Sequence, residues 1–161
     1  MTSILTQKPV FAEKEILRGL QQYDRRANVH MNGMVFYPYY FFEYDISAKS
    51  LLRLQGKIAC TIDALSGQGA MVDVQPEFST YLMEGEEVLP ITIAENEAEL
   101  LAERFISQTL SQKAKFITIP RLHLSSCSLF YRPFWLAKYT KPGRGQQPLI
   151  VDAISGSYHP L

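Results

Sequence analysis

Ile62-Asp63-Ala64-Leu65-Ser66-Gly67 returns 89 residues later as Val151-Asp152-Ala153-Ile154-Ser155-Gly156. An Asp at the head of such a stretch bonds the turn backbone and the closing Gly supplies a left-handed residue, so each copy reads as a tight turn after a strand. Upstream, Phe36-Tyr37-Pro38-Tyr39-Tyr40-Phe41-Phe42-Glu43-Tyr44 matches Tyr131-Arg132-Pro133-Phe134-Trp135-Leu136-Ala137-Lys138-Tyr139 at an offset of 95. Further upstream, Val29-His30-Met31-Asn32-Gly33 aligns with Leu122-His123-Leu124-Ser125-Ser126 at an offset of 93. Three blocks in one order, with small length changes in turns, predict an internal repeat.

Each set of blocks follows a helical pattern. Ile16, Leu20, Tyr23 and Ala27 keep helical spacing after Pro9, which suits a first turn. Thr92-Ile93-Ala94-Glu95 reads as a capping box, and Ala98, Leu101, Ala102, Phe105 and Thr109 form a stripe behind it. The predicted fold is α+β, with two repeated units that each pack one helix on an antiparallel meander of three to four strands. The expected divisions are 1–74 for the first unit, 75–91 for a connection and 92–161 for the second unit. Strands are expected near 29–31, 34–46, 57–64 and 69–74, then near 116–124, 127–140, 147–154 and 157–160. Asn32-Gly33 suits a two-residue hairpin turn because both residues tolerate positive φ.

Strand alternation sorts the side chains. Phe36, Tyr40, Phe42, Tyr44 and Ile46 share a face that the helix covers, as do Tyr131, Trp135, Ala137 and Tyr139. The opposite faces carry Tyr37, Tyr39, Phe41, Glu43 and Asp45 in one copy, and Arg132, Phe134, Leu136, Lys138 and Thr140 in the other. These outer faces are too apolar for bare solvent and predict a cover. Either the units or two chains pack them together, or they form a groove for a ligand or peptide. Glu43 and Lys138 stand at equivalent positions with opposite sign, which suits pairing of the units about a pseudo-two-fold axis or a homodimer.

The 161 residues carry 16 Lys+Arg and 16 Asp+Glu, and 47% are apolar, which excludes a disordered chain and a uniformly basic nucleic-acid binder. Neutrality conceals asymmetry: residues 76–103 hold eight acids and no Lys or Arg, whereas 104–161 hold eight Lys+Arg and one acid. Arg132, Phe134, Lys138, Lys141 and Arg144 in that basic segment have the composition of a single-strand nucleic-acid surface. Helix-dipole matching explains part of the pattern, because acids open the second helix and Lys113 and Lys115 close it. The N-terminus shows no charged region leading into an apolar run, and no window reaches 18 apolar residues. The expectation is a soluble, cytoplasmic protein with no membrane span.

Reactive candidates are few. Cys60 and Cys127 are too far apart in pattern for a metal-type pair, and Cys60 lies on the inward parity. Cys127 is near His123 in sequence, but the matching position of the first copy is Met34, an apolar slot. His30 and His123 are equivalent and point outward without a second ligand at metal spacing, so no metal and no cofactor are predicted. Asp63 and Asp152 are accounted for by their turns. Gly143-Arg144-Gly145 lacks a following helix to receive phosphate.

The repeated Asp63-Ala64-Leu65-Ser66-Gly67 and Asp152-Ala153-Ile154-Ser155-Gly156, each ending a strand of a helix-plus-meander pattern, resemble the turn of the PepSY family. The resemblance covers roughly 10–74 and 94–161, and implies a non-catalytic module linked to peptidase regulation or other binding. The functional expectation is therefore a binding or regulatory module that engages a protein or peptide partner, or itself, through Tyr37, Tyr39, Phe41, Glu43, Arg132, Phe134, Leu136 and Lys138. The alternatives are a small hydrolase or isomerase on a cystatin-like sheet, and single-stranded nucleic-acid binding through the basic segment.

Overall fold

The computed structural model of the protein describes residues 2–23, 25–48, 54–113 and 120–161. Among them the order is β1 (Ser3–Gln7), α1 (Glu13–Tyr23), β2 (Asn28–Ala48), β3 (Leu54–Asp63), β4 (Gly69–Val72), β5 (Phe78–Leu82), β6 (Glu87–Val88), α2 (Glu95–Lys113), β7 (Arg121–Lys141), β8 (Gly145–Asp152) and β9 (Tyr158–Pro160). The fold is α+β with a largely antiparallel sheet. The strands β3–β2, β3–β4, β7–β8, β8–β9 and β1–β5 pair antiparallel, while β1–β7 and β6–β2 pair parallel.

The chain divides into two compact units, neither contiguous in sequence. One comprises Met1–Tyr37, Glu77–Leu89 and Tyr131–Leu161, and contains the Asp152 turn; the other comprises Pro38–Pro76 and Pro90–Phe130, and contains the Asp63 turn. They are named here by those turns. These boundaries differ from the segments 1–74 and 92–161, because each helix covers only the start of the long strand that follows it and otherwise packs on strands from the other half of the chain. In the Asp63 unit, Ala98, Ala102 and Ile106 of α2 bury Tyr40, Phe42, Tyr44, Cys60, Ile62 and Ala64. In the Asp152 unit, Ile16 and Leu20 of α1 pack with Val29, Ala137, Tyr139, Leu149 and Val151. Adjacency in sequence supports local pairing, but the larger burial decides, at about 1.5–3 kcal/mol for each large apolar side chain removed from water.

Volume is divided differently in the two cores. In the Asp63 unit Tyr40, Phe42 and Tyr44 of β2 pack with Ala98, Ala102 and Ile106 of α2, whereas in the Asp152 unit Ala137 and Tyr139 of β7 and Leu149 and Val151 of β8 pack with Ile16 and Leu20 of α1. Ile16 and Leu20 stand where α2 has alanines and Ala137 stands where β2 has Phe42, so exchanging the helices would change the fill of both cores.

Several local expectations give way to longer-range bonding. Asn32-Gly33 does not turn a hairpin: β2 runs through it, and Gly33 takes φ 101° inside the strand. Glycine accommodates this local irregularity where most L-residues would be strained. The expected break between 124 and 127 is likewise absent, since β7 is continuous over Arg121–Lys141. The expected connection 75–91 contributes β5 and β6. The expected strand portion 116–119 lies outside the described residues. Thr92 does not cap α2 through a box with Glu95; its hydroxyl donates to the carbonyls of Ala64 (3.1 Å) and Leu65 (3.0 Å). Ala94 accepts the first α2 bond, from the Ala98 amide, as Ala12 does from Ile16 in α1.

Candidate functional site

The two Asp turns organise their units by one bonding scheme. Asp63 Oδ1 accepts from the amides of Leu65 (2.8 Å) and Ser66 (3.0 Å), and its carbonyl accepts from Gly67 (2.9 Å). Asp152 Oδ1 accepts from Ile154 (2.8 Å) and Ser155 (3.4 Å), and its carbonyl accepts from Gly156 (2.8 Å). Gly67 and Gly156 take φ 79° and 77°, where a β-carbon is strained.

Each turn is also where a helix docks. The Ala64 carbonyl receives the amides of Thr92 (3.1 Å) and Ile93 (3.0 Å), and the Ala153 carbonyl receives those of Val10 (2.9 Å) and Phe11 (2.8 Å). An aromatic donor from the long strand fixes the same segment: Tyr40 OH donates to the Ile93 carbonyl at 2.8 Å, and Trp135 Nε1 donates to that of Phe11 at 3.0 Å. Buried Pro38 and Pro133 contribute carbonyls to the amides of Ala64 and Ala153, both at 3.1 Å. The prolines, turn aspartates and strand aromatics that mark the repeat are therefore the residues that seat the helices.

The Asp152 turn carries an ion pair. Arg132 places Nε and Nη2 at 3.0 and 2.6 Å from Asp152 Oδ2. Burial alone would raise the Asp152 pKa, but Arg132 and the turn amides together bring it below the ordinary carboxylate value. The charge asymmetry of the sequence is dispersed in the fold. The segments of the Asp152 unit carry nine Lys+Arg and eight acids, and those of the Asp63 unit seven and eight.

The sulfur and phenol groups are held away from nucleophilic chemistry. Burial pushes the Cys60 thiol up to about 12 in the core beneath α2. Cys127 also rises to about 12, through burial first and then the nearby carboxylate of Glu95. The neighbouring charge is thus one that disfavours the thiolate. Tyr44 is wholly buried and its hydroxyl has no hydrogen-bond partner among the described residues; burial, followed by the charge of Glu103, raises its pKa. Tyr81 OH donates to Glu86 Oε1 at 2.5 Å, which lifts the phenol to about 12 and lowers the carboxylate. His30, His123 and His159 are exposed. Among the described residues no group of three or more His, Cys, Asp or Glu is placed to hold a metal ion, and no helix is long and apolar enough to cross a membrane.

The expected binding residues fall into distinct environments. Tyr37 meets Phe134 edge-on, with centroids 6.1 Å apart, within the Asp152 unit. Tyr39 stacks on Phe130 at 5.7 Å within the Asp63 unit. Phe41 is 2% exposed, so it is a core residue despite its outward parity. Glu43 is half-buried, 3.7 Å from Lys57, and its carbonyl accepts from Ser125 Oγ. Arg132 is turned to Asp152. Tyr37, Tyr39, Phe134 and Leu136 remain half-buried, and Lys138 is exposed.

A cavity that the strand pattern did not announce lies in the Asp152 unit, with a volume of about 330 Å³ between α1 and the turn. Its only sequence signal is Gly19, an isolated glycine in an otherwise helical stretch. The fold and the two turns define an α+β protein with helices seated on Asp-headed turns. No family model, curated protein or solved structure matches the chain.

Proposed function

We propose that the protein is a non-catalytic binding or regulatory module built from two related PepSY-like units that interleave along the chain, and that it engages a protein or peptide partner. The observation that carries this reading is the set of half-buried side chains on the strand faces opposite the helices. Tyr37, Phe134 and Leu136 lie in the Asp152 unit and Tyr39 lies in the Asp63 unit. Exposed Lys138 adds a charge on the same strand parity as Phe134 and Leu136. Aromatic anchors at the margin of polar positions are the side chains that contribute most at binding surfaces.

The groups that a hydrolase would use have structural tasks instead: the two turn aspartates seat the helices, and both thiols lie well above neutral pH. The test is selection of peptides from a random displayed library by the native chain, followed by Tyr39→Ser and Phe134→Ser. Both variants are expected to lose the selected peptides while keeping the native circular dichroism. Failure to select any peptide, together with a solution mass that neither variant changes, would sink both partner binding and self-association through these faces.

A further inference from the structure

Equivalent backbone bonds put the two helices in register on their turns. The amides of Val10 and Phe11 meet the Ala153 carbonyl as those of Thr92 and Ile93 meet that of Ala64, an offset of 82 residues. The same offset relates the buried pairs Ile16 to Ala98 and Leu20 to Ala102. It also relates Gly19 to Leu101. In the Asp63 unit Ile93 and Leu101 share the space over the turn glycine, their Cδ1 atoms lying 3.1 and 3.2 Å from where a Gly67 β-carbon would stand; in the Asp152 unit Phe11, the counterpart of Ile93, covers Gly156 at 3.2 Å, and the counterpart of Leu101 has no side chain. In the Asp152 unit a β-carbon built on Gly19 meets nothing within 4 Å. The absent side chain leaves the 330 Å³ cavity, walled by Phe11, Ile16, Val151, Gly156 and Tyr158. A glycine inside a helix is unfavourable in itself, so the position that opens the cavity also weakens α1.

We propose that this cavity is a binding site for a small branched aliphatic amine. The aliphatic part is set by the other unit, which carries a leucine at the helix position of Gly19, and by Phe11, Ile16 and Val151 in the cavity wall. The cationic head is set by Glu15, the only charged residue among those that line the cavity. Glu15 precedes Gly19 by one helical turn and lines the cavity from the exposed side of α1, so an ammonium paired with it leaves the hydrocarbon to enter between Ile16 and Gly156. The site is separate from the strand faces assigned above and stands whether or not those faces bind peptides.

The experiment titrates the full chain with 3-methylbutylamine while recording backbone amide shifts, alongside 3-methylbutanoate and methylamine. Saturable shifts confined to Gly19, Val151, Gly156 and their neighbours are expected for the branched amine, with neither control matching it. Gly19→Leu supplies the missing side chain, and should raise the thermal midpoint and abolish the shifts. Glu15→Gln, an exposed change, should weaken the amine about fivefold, the scale of one solvated ion pair. Absence of saturable shifts, their persistence in Gly19→Leu, or an equal response to the carboxylate would each overturn the assignment.

Discussion

The docks of α1 and α2 share their hydrogen bonds and differ in where their volume comes from. Beside Ile106 and Tyr44 at the Asp63 turn, Phe42 of the strand is balanced by Ala98 and Ala102 of the helix; beside Tyr139 at the Asp152 turn, Ala137 of the strand is balanced by Ile16 and Leu20 of the helix. A second exchange lies beside the turns. Phe105 of α2 covers Gly69 so closely that a β-carbon there would stand 2.7 Å from the ring, whereas the residue matching Gly69 at the turn offset of 89 is Tyr158. The backbone scheme sets where a helix sits, and side-chain volume sets which helix sits there. One bonding pattern can therefore serve two non-interchangeable partners.

The strongest challenge to that view is to move volume across it. Leu20→Ala should lower unfolding stability by about 3 kcal/mol, the usual loss for a buried leucine that leaves a cavity. Ala102→Leu, which gives α2 the residue that α1 carries, should lower it by about 2 kcal/mol through overpacking against the aromatic strands. Urea unfolding measures both, and a stabilising Ala102→Leu would show that the helices are not matched by volume. The ion pair at the Asp152 turn is next. Arg132→Met strips the partner from a mostly buried carboxylate and should cost about 2 kcal/mol at neutral pH.

The pH course sharpens that test. The folded Asp152 carboxyl lies below its unfolded value, so its contribution is complete above the ordinary carboxylate pKa and disappears as pH falls through the lower folded one. The native chain and Arg132→Met should therefore converge in stability on acidification, which denaturant midpoints from neutral to acid pH will record. A constant gap would count against the ion pair as the cause. Gly67→Ala and Gly156→Ala should each cost about 1–2 kcal/mol because both turns need a left-handed residue. A tolerated alanine at either site would remove the turn from the comparison. The smallest effect has the opposite sign. Tyr44→Phe should stabilise the Asp63 unit by about 1 kcal/mol, since it deletes a buried hydroxyl without a partner. Thermal midpoints are enough to see it.

Much of the Asp-turn architecture was legible from the chain because its determinants are local. Asp63 and Asp152 bond amides two and three residues ahead, and strand parity placed Tyr40, Phe42, Tyr44, Trp135 and Ala137 toward a helix. The helix exchange was hidden because alternation says that a face is buried, not what buries it. Thr92 shows the same limit. Its spacing to Glu95 satisfies a capping box, yet its hydroxyl is drawn to the carbonyls of Ala64 and Leu65, 28 and 27 residues away. β1 and β5 escaped notice because five-residue strands of mixed polarity have little periodicity of their own and are fixed by pairing with each other. In the candidate binding set, Phe41 was misplaced: parity put it outside, and packing buried it. The cavity was invisible until Gly19 could be compared with Leu101.

The crossed seating of the helices also has a cost in time. Ile16 and Leu20 finish their packing against Leu149 and Val151, so a chain growing from its N-terminus makes α1 long before it makes the surface that α1 covers. At translation speeds of roughly 5–20 residues per second, an apolar helical face waits several seconds or more beside the ribosome. During that interval, the aromatic strand β2 and its partner β3 are also without α2. Synthesis thus exposes the seam of each unit in turn, and a holdase that shields apolar segments would act on this protein before any ligand or partner does.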